Sequence, residues 1–292
     1  MRASLTRGVV DRSPHGLVVV HGPDATSFLQ SLVSQDLDVI ADGATARSLL
    51  LTPQGKLDVV FRATRVGDDW WLDTDAAYGP RLAESLNRFK IRVKAEIEDR
   101  TSTTGMVSVI GAVPAVDLSE VRVLPTTWLD TNGDDVIGPV AGVRAALDQL
   151  DSAIERWSPE QFDAFRIEAG VPQLGVDIDE KTIPQEAFLE RDAVSFTKGC
   201  FLGQELVTRI DTRGHVNKYL RRLSVDGSNV PPRGAVVVVD GKEVGTLTSA
   251  AAVPGDGRVV ALAMVRHEVE PPAAARVRWD GREANAEVRP GA

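Results

Sequence analysis

The stretch from residue 220 to residue 288 constrains the fold most. It holds five short runs rich in valine and alanine: Val236–Val239, Val244–Leu247, Val259–Met264, Ala275–Trp279 and Ala284–Val288. Turns at Asp240-Gly241, Pro254-Gly255 and Asp280-Gly281 separate them. The runs are strand-length and the glycine turns let the chain reverse between them, so the stretch predicts a small antiparallel β-barrel without helices.

The chain before it alternates helix and strand signals. Leu17–Val20 is a β-branched strand run closed by Gly22. Pro23 then suits a first helical position, and Ala25, Phe28, Leu29, Leu32 and Val33 share one helical face. Residues 45–51 read as a strand. From Leu57 the period becomes two: Leu57, Val59, Phe61 and Ala63 alternate with Asp58, Val60, Arg62 and Thr64. Gly67-Asp68-Asp69 makes a turn, and Trp70–Leu72 returns. Helices open at Gly79-Pro80 and Gly138-Pro139. The alternation from Ile91 to Ile97 is the cleanest signal of a half-buried strand. Residues 105–111, 120–124 and 126–130 add three more strands. This β-β-α recurrence predicts an α+β region of ferredoxin-like character, although identity between the halves is negligible. Ser158-Pro159-Glu160-Gln161 is a capping box whose helix runs to Gly170. Residues 171–190 read as a long loop of the kind that carries function in compact proteins. The expected division is 1–217 as two interleaved α+β subdomains and 218–292 as the barrel.

Charge and cysteine content narrow the function. Thirty-three basic against 42 acidic residues give a net charge of −9, which argues against a general grip on nucleic acid. The single cysteine, Cys200, excludes an internal disulfide and a cysteine-based zinc site within one chain, and it fits a reducing compartment. No run of about 18 apolar residues is present, so no membrane helix is expected. The N-terminus has no continuous apolar core of a signal peptide, and the chain reads as cytoplasmic. His15, His21 and His267 are scattered without metal-ligand spacing, and each reads as a surface or internally bonded histidine; no metal site is expected. No phosphate-binding glycine loop is present.

The most informative stretch is Lys198-Gly199-Cys200-Phe201-Leu202-Gly203-Gln204-Glu205. A lysine two residues before the thiol favours the thiolate, and Arg209 and Arg213 add positive field. The glycines permit left-handed backbone or close approach. Cys200 is thus either a reactive thiol or a buried inert one, and residue chemistry alone leaves both open. A hydrolytic Cys200–His215 pair has no orienting third group in sight. Glu168, at the end of the helix from Ser158, sits where the helix dipole disfavours an anion. It is either an ordinary exposed or ion-paired glutamate, or a carboxylate accepting two parallel N–H bonds from a heterocycle such as a pterin, with Phe162 as the aromatic face.

The Lys198–Glu205 motif resembles the signature of the YgfZ family of folate-binding iron–sulfur cluster maintenance proteins, relatives of the glycine cleavage T-protein, an aminomethyltransferase. Arg166-Ile167-Glu168-Ala169-Gly170-Val171-Pro172, Ile183-Pro184-Gln185-Glu186, Val20–Ala25 with Phe28-Leu29-Gln30, and Gly241–Ser249 support the likeness. The resemblance spans nearly the whole chain and is weakest between residues 100 and 150. It implies a T-protein-like ring of three domains around a folate channel. Tetrahydrofolate or a one-carbon derivative would be the ligand, with Glu168 on the pterin, Phe162 as aromatic wall, Arg209 and Arg213 also binding it, and Cys200 facing the channel. Iron–sulfur enzymes or assembly factors would be the partners. Aminomethyltransferases carry a catalytic aspartate just before the helix that opens here at Gly79. This chain has Ala76-Ala77-Tyr78 there, with Asp73 and Asp75 upstream. That departure favours an accessory protein over the alternative, a tetrahydrofolate-dependent aminomethyl or one-carbon transferase.

Overall fold

A computed structural model describes residues 5–114, 116–128 and 131–291. Two antiparallel sheets and a closed barrel make up its β-structure. The first sheet joins β2 (His15–His21), β3 (Thr45–Leu51), β4 (Leu57–Val66), β5 (Asp69–Asp75) and β6 (Glu96–Asp99) in the order β3-β4-β5-β2-β6. Helices α1 (Ala25–Leu32) and α2 (Gly79–Phe89) accompany it. The second joins β1 (Gly8–Asp11), β7 (Thr104–Ile110), β8 (Arg122–Trp128) and β9 (Thr131–Pro139) in the order β1-β7-β9-β8, with α3 (Val140–Leu150) packed on β7 and β9.

Ridged packing of the two sheets decides the interior. Val18 and Val20 of β2 enter the main core with Phe28, Leu29, Leu49 and Trp70, while Leu17 and Val19 pack against Met106, Leu124 and Ile137 of the second sheet. Strand β2 is therefore apolar on both faces, which explains its unbroken valine run.

Helix α4 (Pro159–Glu168) begins with the expected capping box: Gln161 N–H donates to Ser158 Oγ and Ser158 N–H donates to Gln161 Oε1. The following segment contains a short 3₁₀ turn at Pro184–Ala187 and a one-turn helix α5 (Glu190–Ala193), and then α6 (Gln204–Arg213). Strands β10 (Lys218–Asp226), β11 (Val236–Val239), β12 (Lys242–Ala252), β13 (Arg258–Arg266), β14 (Ala273–Trp279) and β15 (Arg282–Arg289) close a six-stranded barrel in the order β10-β13-β12-β11-β14-β15. The barrel has its own core around Val225, Val237, Leu247 and Val277, while Leu220, Val260 and Leu262 join the main core.

Three expectations need correction. The Ile91–Ile97 alternation forms strand only at Glu96–Asp99; Ile91 is three-quarters exposed and Arg92 sits at φ +59°, because the chain leaving α2 must turn before reaching the sheet edge. The separate strands 120–124 and 126–130 are one strand, β8, running through Pro125; residues 129 and 130 lie outside the described residues. Pro125 is tolerated because β8 is an edge strand. The sequence reading also lacks β1, β9 and β10.

Candidate functional site

Between the two sheets and the segment after α4 lies a cavity in two lobes. The first, of about 780 Å³, is lined by Arg62, Asp73, Met106 and Asp135 from the sheets and by Leu174, Ile178 and Leu189 from the loop. The second, of about 1090 Å³, is lined by Asp11, Pro159, Phe162 and Asp163 among others. Arg12, Asp75, Trp128, Val171 and Pro172 line both. The Arg12 guanidinium lies 5.0 Å from the Phe162 ring centre and 5.6 Å from that of Trp128, and the two rings meet edge to face.

The first lobe is walled by a buried chain of polar groups. Arg62 and Asp73 are directly paired across β4 and β5, and Ser108 and Asp135 across β7 and β9. Arg62 Nε and Nη2 donate to Asp73, and Nη1 donates to Asp135 of the other sheet. Ser108 donates to Asp135, Arg12 donates to Ser108, and His15 Nε2 lies 3.0 Å from Asp73 Oδ1. Burial alone would raise the Asp73 carboxyl; the Arg62 charge and the His15 contact overcome it and bring it down to about 2. Arg62 is correspondingly held in its charged form by both carboxylates against its own burial.

The residues singled out in the sequence fall at four separate places. Phe162 lines the second lobe. Glu168 lines neither: its two carboxylate oxygens accept from Arg258 Nη2 at 2.9 and 3.0 Å, tying α4 to β13. The Glu168 side chain stays part-exposed (41%), and both of its bonds come from one arginine nitrogen of the barrel. Arg209 and Arg213 lie on α6 in a groove with Pro53, Gln204, Glu205 and Thr208, which shares no residue with the cavity. Cys200 is exposed on a loop, in a third groove lined by Pro23, Ser27, Gln30, Asp38 and Lys198, and does not face the cavity.

Lys198 is also placed otherwise than expected. Its ammonium donates to the backbone carbonyls of Gln30, Val33 and Gln35, each at 2.8 Å. It therefore caps the C-terminal end of α1, whose last carbonyls have no partner within the helix. Burial pulls its pKa down to about 8, against the opposing charges of Asp36 and Asp38. Phe201 is buried in the main core, and Gln204 Oε1 accepts from its N–H. Gly203 has φ +78° and precedes α6; a Cβ there would lie 2.5 Å from the Thr52 carbonyl. Gly199 has open space around its Cα. Gly203→Ala should thus lose about 1–3 kcal/mol through strain and clash, and Gly199→Ala should stay within about 0.5 kcal/mol of wild type. Urea unfolding of the two variants checks this, and equal losses would contradict the packing described.

Arg12, Arg62, Trp128 and Asp135 carry the cavity, and the sequence singles out none of them as a site residue. One signal was available for the central pair. A hairpin turning at Gly67 places Arg62 opposite Asp73 by counting outward from the turn. Asp135 arrives from another sheet, and no local pattern announces it.

Known proteins share this architecture. The chain superposes on a crystal structure of the glycine cleavage system aminomethyltransferase T from Bartonella henselae with a TM-score of 0.84, at 21% identity, covering 98% of this chain and 85% of the other. Residues 218–291 match the family described as the glycine cleavage T-protein C-terminal barrel domain. The class is thus an aminomethyltransferase T-like fold with its C-terminal barrel. Within that class the chain is similar to proteins named tRNA-modifying protein YgfZ. It is 26% identical over 285 residues to that of Escherichia coli O157:H7, covering 90% of this chain and 87% of the relative. It is 25% identical over 295 residues to that of Shigella dysenteriae serotype 1, covering 94% and 90%. The likeness read from the Lys198–Glu205 motif is therefore supported along nearly the whole chain.

Proposed function

We propose that the chain is a tetrahydrofolate-binding accessory protein that supports the assembly or repair of iron–sulfur enzymes. The observation that carries the reading is the two-lobed cavity between the sheets, with an aromatic wall, arginines and carboxylates on one lining, in a T-protein-like fold. A reduced folate offers a planar heterocycle for the aromatic wall and a carboxylate tail for Arg12 or for Arg47, which lines the first lobe from β3. Cys200 sits in a different groove, exposed, where it meets a partner rather than the folate. One thiol cannot supply the ligands of a cluster, so cluster contact at Cys200 requires sulfur ligands from that partner. The net charge of −9 also argues that a role in tRNA modification, as the relatives' name has it, passes through a client enzyme rather than direct tRNA binding.

Calorimetry with tetrahydrofolate tests the ligand. Binding is expected, and no heat at millimolar concentration would remove the folate. Cys200→Ala is expected to leave stability within about 0.5 kcal/mol, since the side chain is exposed. Folate affinity should also be unchanged. Restoration of iron–sulfur enzyme activity in cells lacking the protein should nevertheless fail. A native Cys200 that resists iodoacetamide until the chain unfolds would sink the thiol role.

A further inference from the structure

The cavity is rich in acceptors and short of donors. Asp11, Asp73, Asp75, Asp135 and Asp163 put carboxylates on its lining. Among the donors, Arg62 gives all three of its nitrogens to Asp73 and Asp135, Arg12 Nη1 donates to Ser108, and Thr127 Oγ1 donates to Asn132. Trp128 is different. It lines both lobes and is only 7% exposed, and its buried indole Nε1–H meets no acceptor. The neighbours fix where that N–H points: Phe162 and Phe165 meet the ring edge to face at 5.6 and 5.8 Å, and the Arg12 guanidinium lies 5.6 Å from its centre. An indole nitrogen donates and does not accept, and a buried N–H without a partner is costly enough to need a reason. Packing with Trp157 and Phe165 accounts for the buried ring and leaves the N–H unexplained.

We propose that the Trp128 indole N–H is the donor by which the cavity selects a neutral carbonyl of its ligand, at the place where the two lobes meet. A carbonyl presents lone pairs without charge and suits the neutral indole, whereas a carboxylate is better met by a guanidinium. An amino group in the same place sets donor against donor, so the contact separates an oxo heterocycle from its amino counterpart. The packing around the ring orients the N–H beforehand, so little side-chain freedom is lost on binding. With folate as ligand, which is the reading this inference rests on, the carbonyl is the 4-oxo group of the pterin. Trp128 falls within residues 100–150, where the family likeness is weakest, so the contact is one the relatives need not share.

The experiment compares tetrahydrofolate with its 4-amino-4-deoxy analogue by calorimetry on the full chain, in wild type and in Trp128→Phe, which keeps an aromatic ring and removes the donor. Wild type should prefer the oxo form. Trp128→Phe should bind the oxo form about tenfold more weakly and the amino form no more weakly than wild type does, so the ratio of the two affinities falls about tenfold. A loss of packing alone weakens both ligands equally. An unchanged ratio therefore overturns the assignment and leaves folate binding standing. A second measurement needs only the wild type. The indole N–H resonance of Trp128 in the isotope-labelled protein should move downfield when tetrahydrofolate saturates the cavity, as an N–H does on gaining an acceptor, and should move less with the amino form. A resonance that stays in place with tetrahydrofolate bound overturns the assignment even where the variant does not fold. A wild type that binds neither ligand overturns both this contact and the folate reading.

Discussion

Arg62→Met is expected to destabilise the protein by about 3–5 kcal/mol, because it leaves Asp73 and Asp135 buried without their common partner. Both carboxylates are almost fully buried, and Arg62 bonds the first sheet to the second through them. The pH dependence separates loss of this charge from simple loss of packing. In the wild type the Asp73 carboxyl is held near 2, below its unfolded value of about 4. Its stabilising contribution is complete above about pH 4 and is lost as the pH falls toward 2. Without Arg62, burial dominates at Asp73 and its carboxyl rises above its unfolded value. The variant should then gain stability as the pH falls from 7 toward 5, where the wild type is nearly flat in this contribution. Urea midpoints of both proteins at pH 5, 6 and 7 check this. A variant that loses under 1 kcal/mol, or whose deficit is the same at each pH, would show that the network is not holding the sheets together.

Lys198→Met is the second large effect. The ammonium serves three backbone carbonyls at the end of α1, and the methionine keeps much of the stem but donates nothing. The expected loss is about 2–3 kcal/mol, from desolvated carbonyls left without a charged donor. The rate of iodoacetamide labelling at Cys200 in the folded protein should change less than threefold, since the lysine is committed to the helix end. A variant that is as stable as wild type but labels tenfold more slowly would restore the reading in which Lys198 activates the thiol. Unfolding midpoints and labelling kinetics on the same samples decide between them.

Those two residues show where sequence reasoning reaches and where it stops. Local signals located α1, the capping box at Ser158 and the turns of the barrel, since each is set by residues a few positions apart. The glycine and lysine of the Lys198–Glu205 motif were visible, but their reasons were not. Lys198 answers carbonyls more than 160 positions away in sequence, and Gly203 packs against Thr52. Arg62 stands on the polar side of an alternating strand and looks like a solvent-facing residue. It is buried because a second sheet covers that side and brings Asp135 to it. Glu168 likewise has the right chemistry for a heterocycle, and no local pattern announces that the barrel's Arg258 pairs with it. Hydrophobic period and turn chemistry thus located many of the elements and five of the six barrel strands, since these depend on neighbours along the chain. Which polar side chains stay free for a ligand was decided only by tertiary packing, because burial by a distant element settles whether a charge finds a partner or is left facing a cavity.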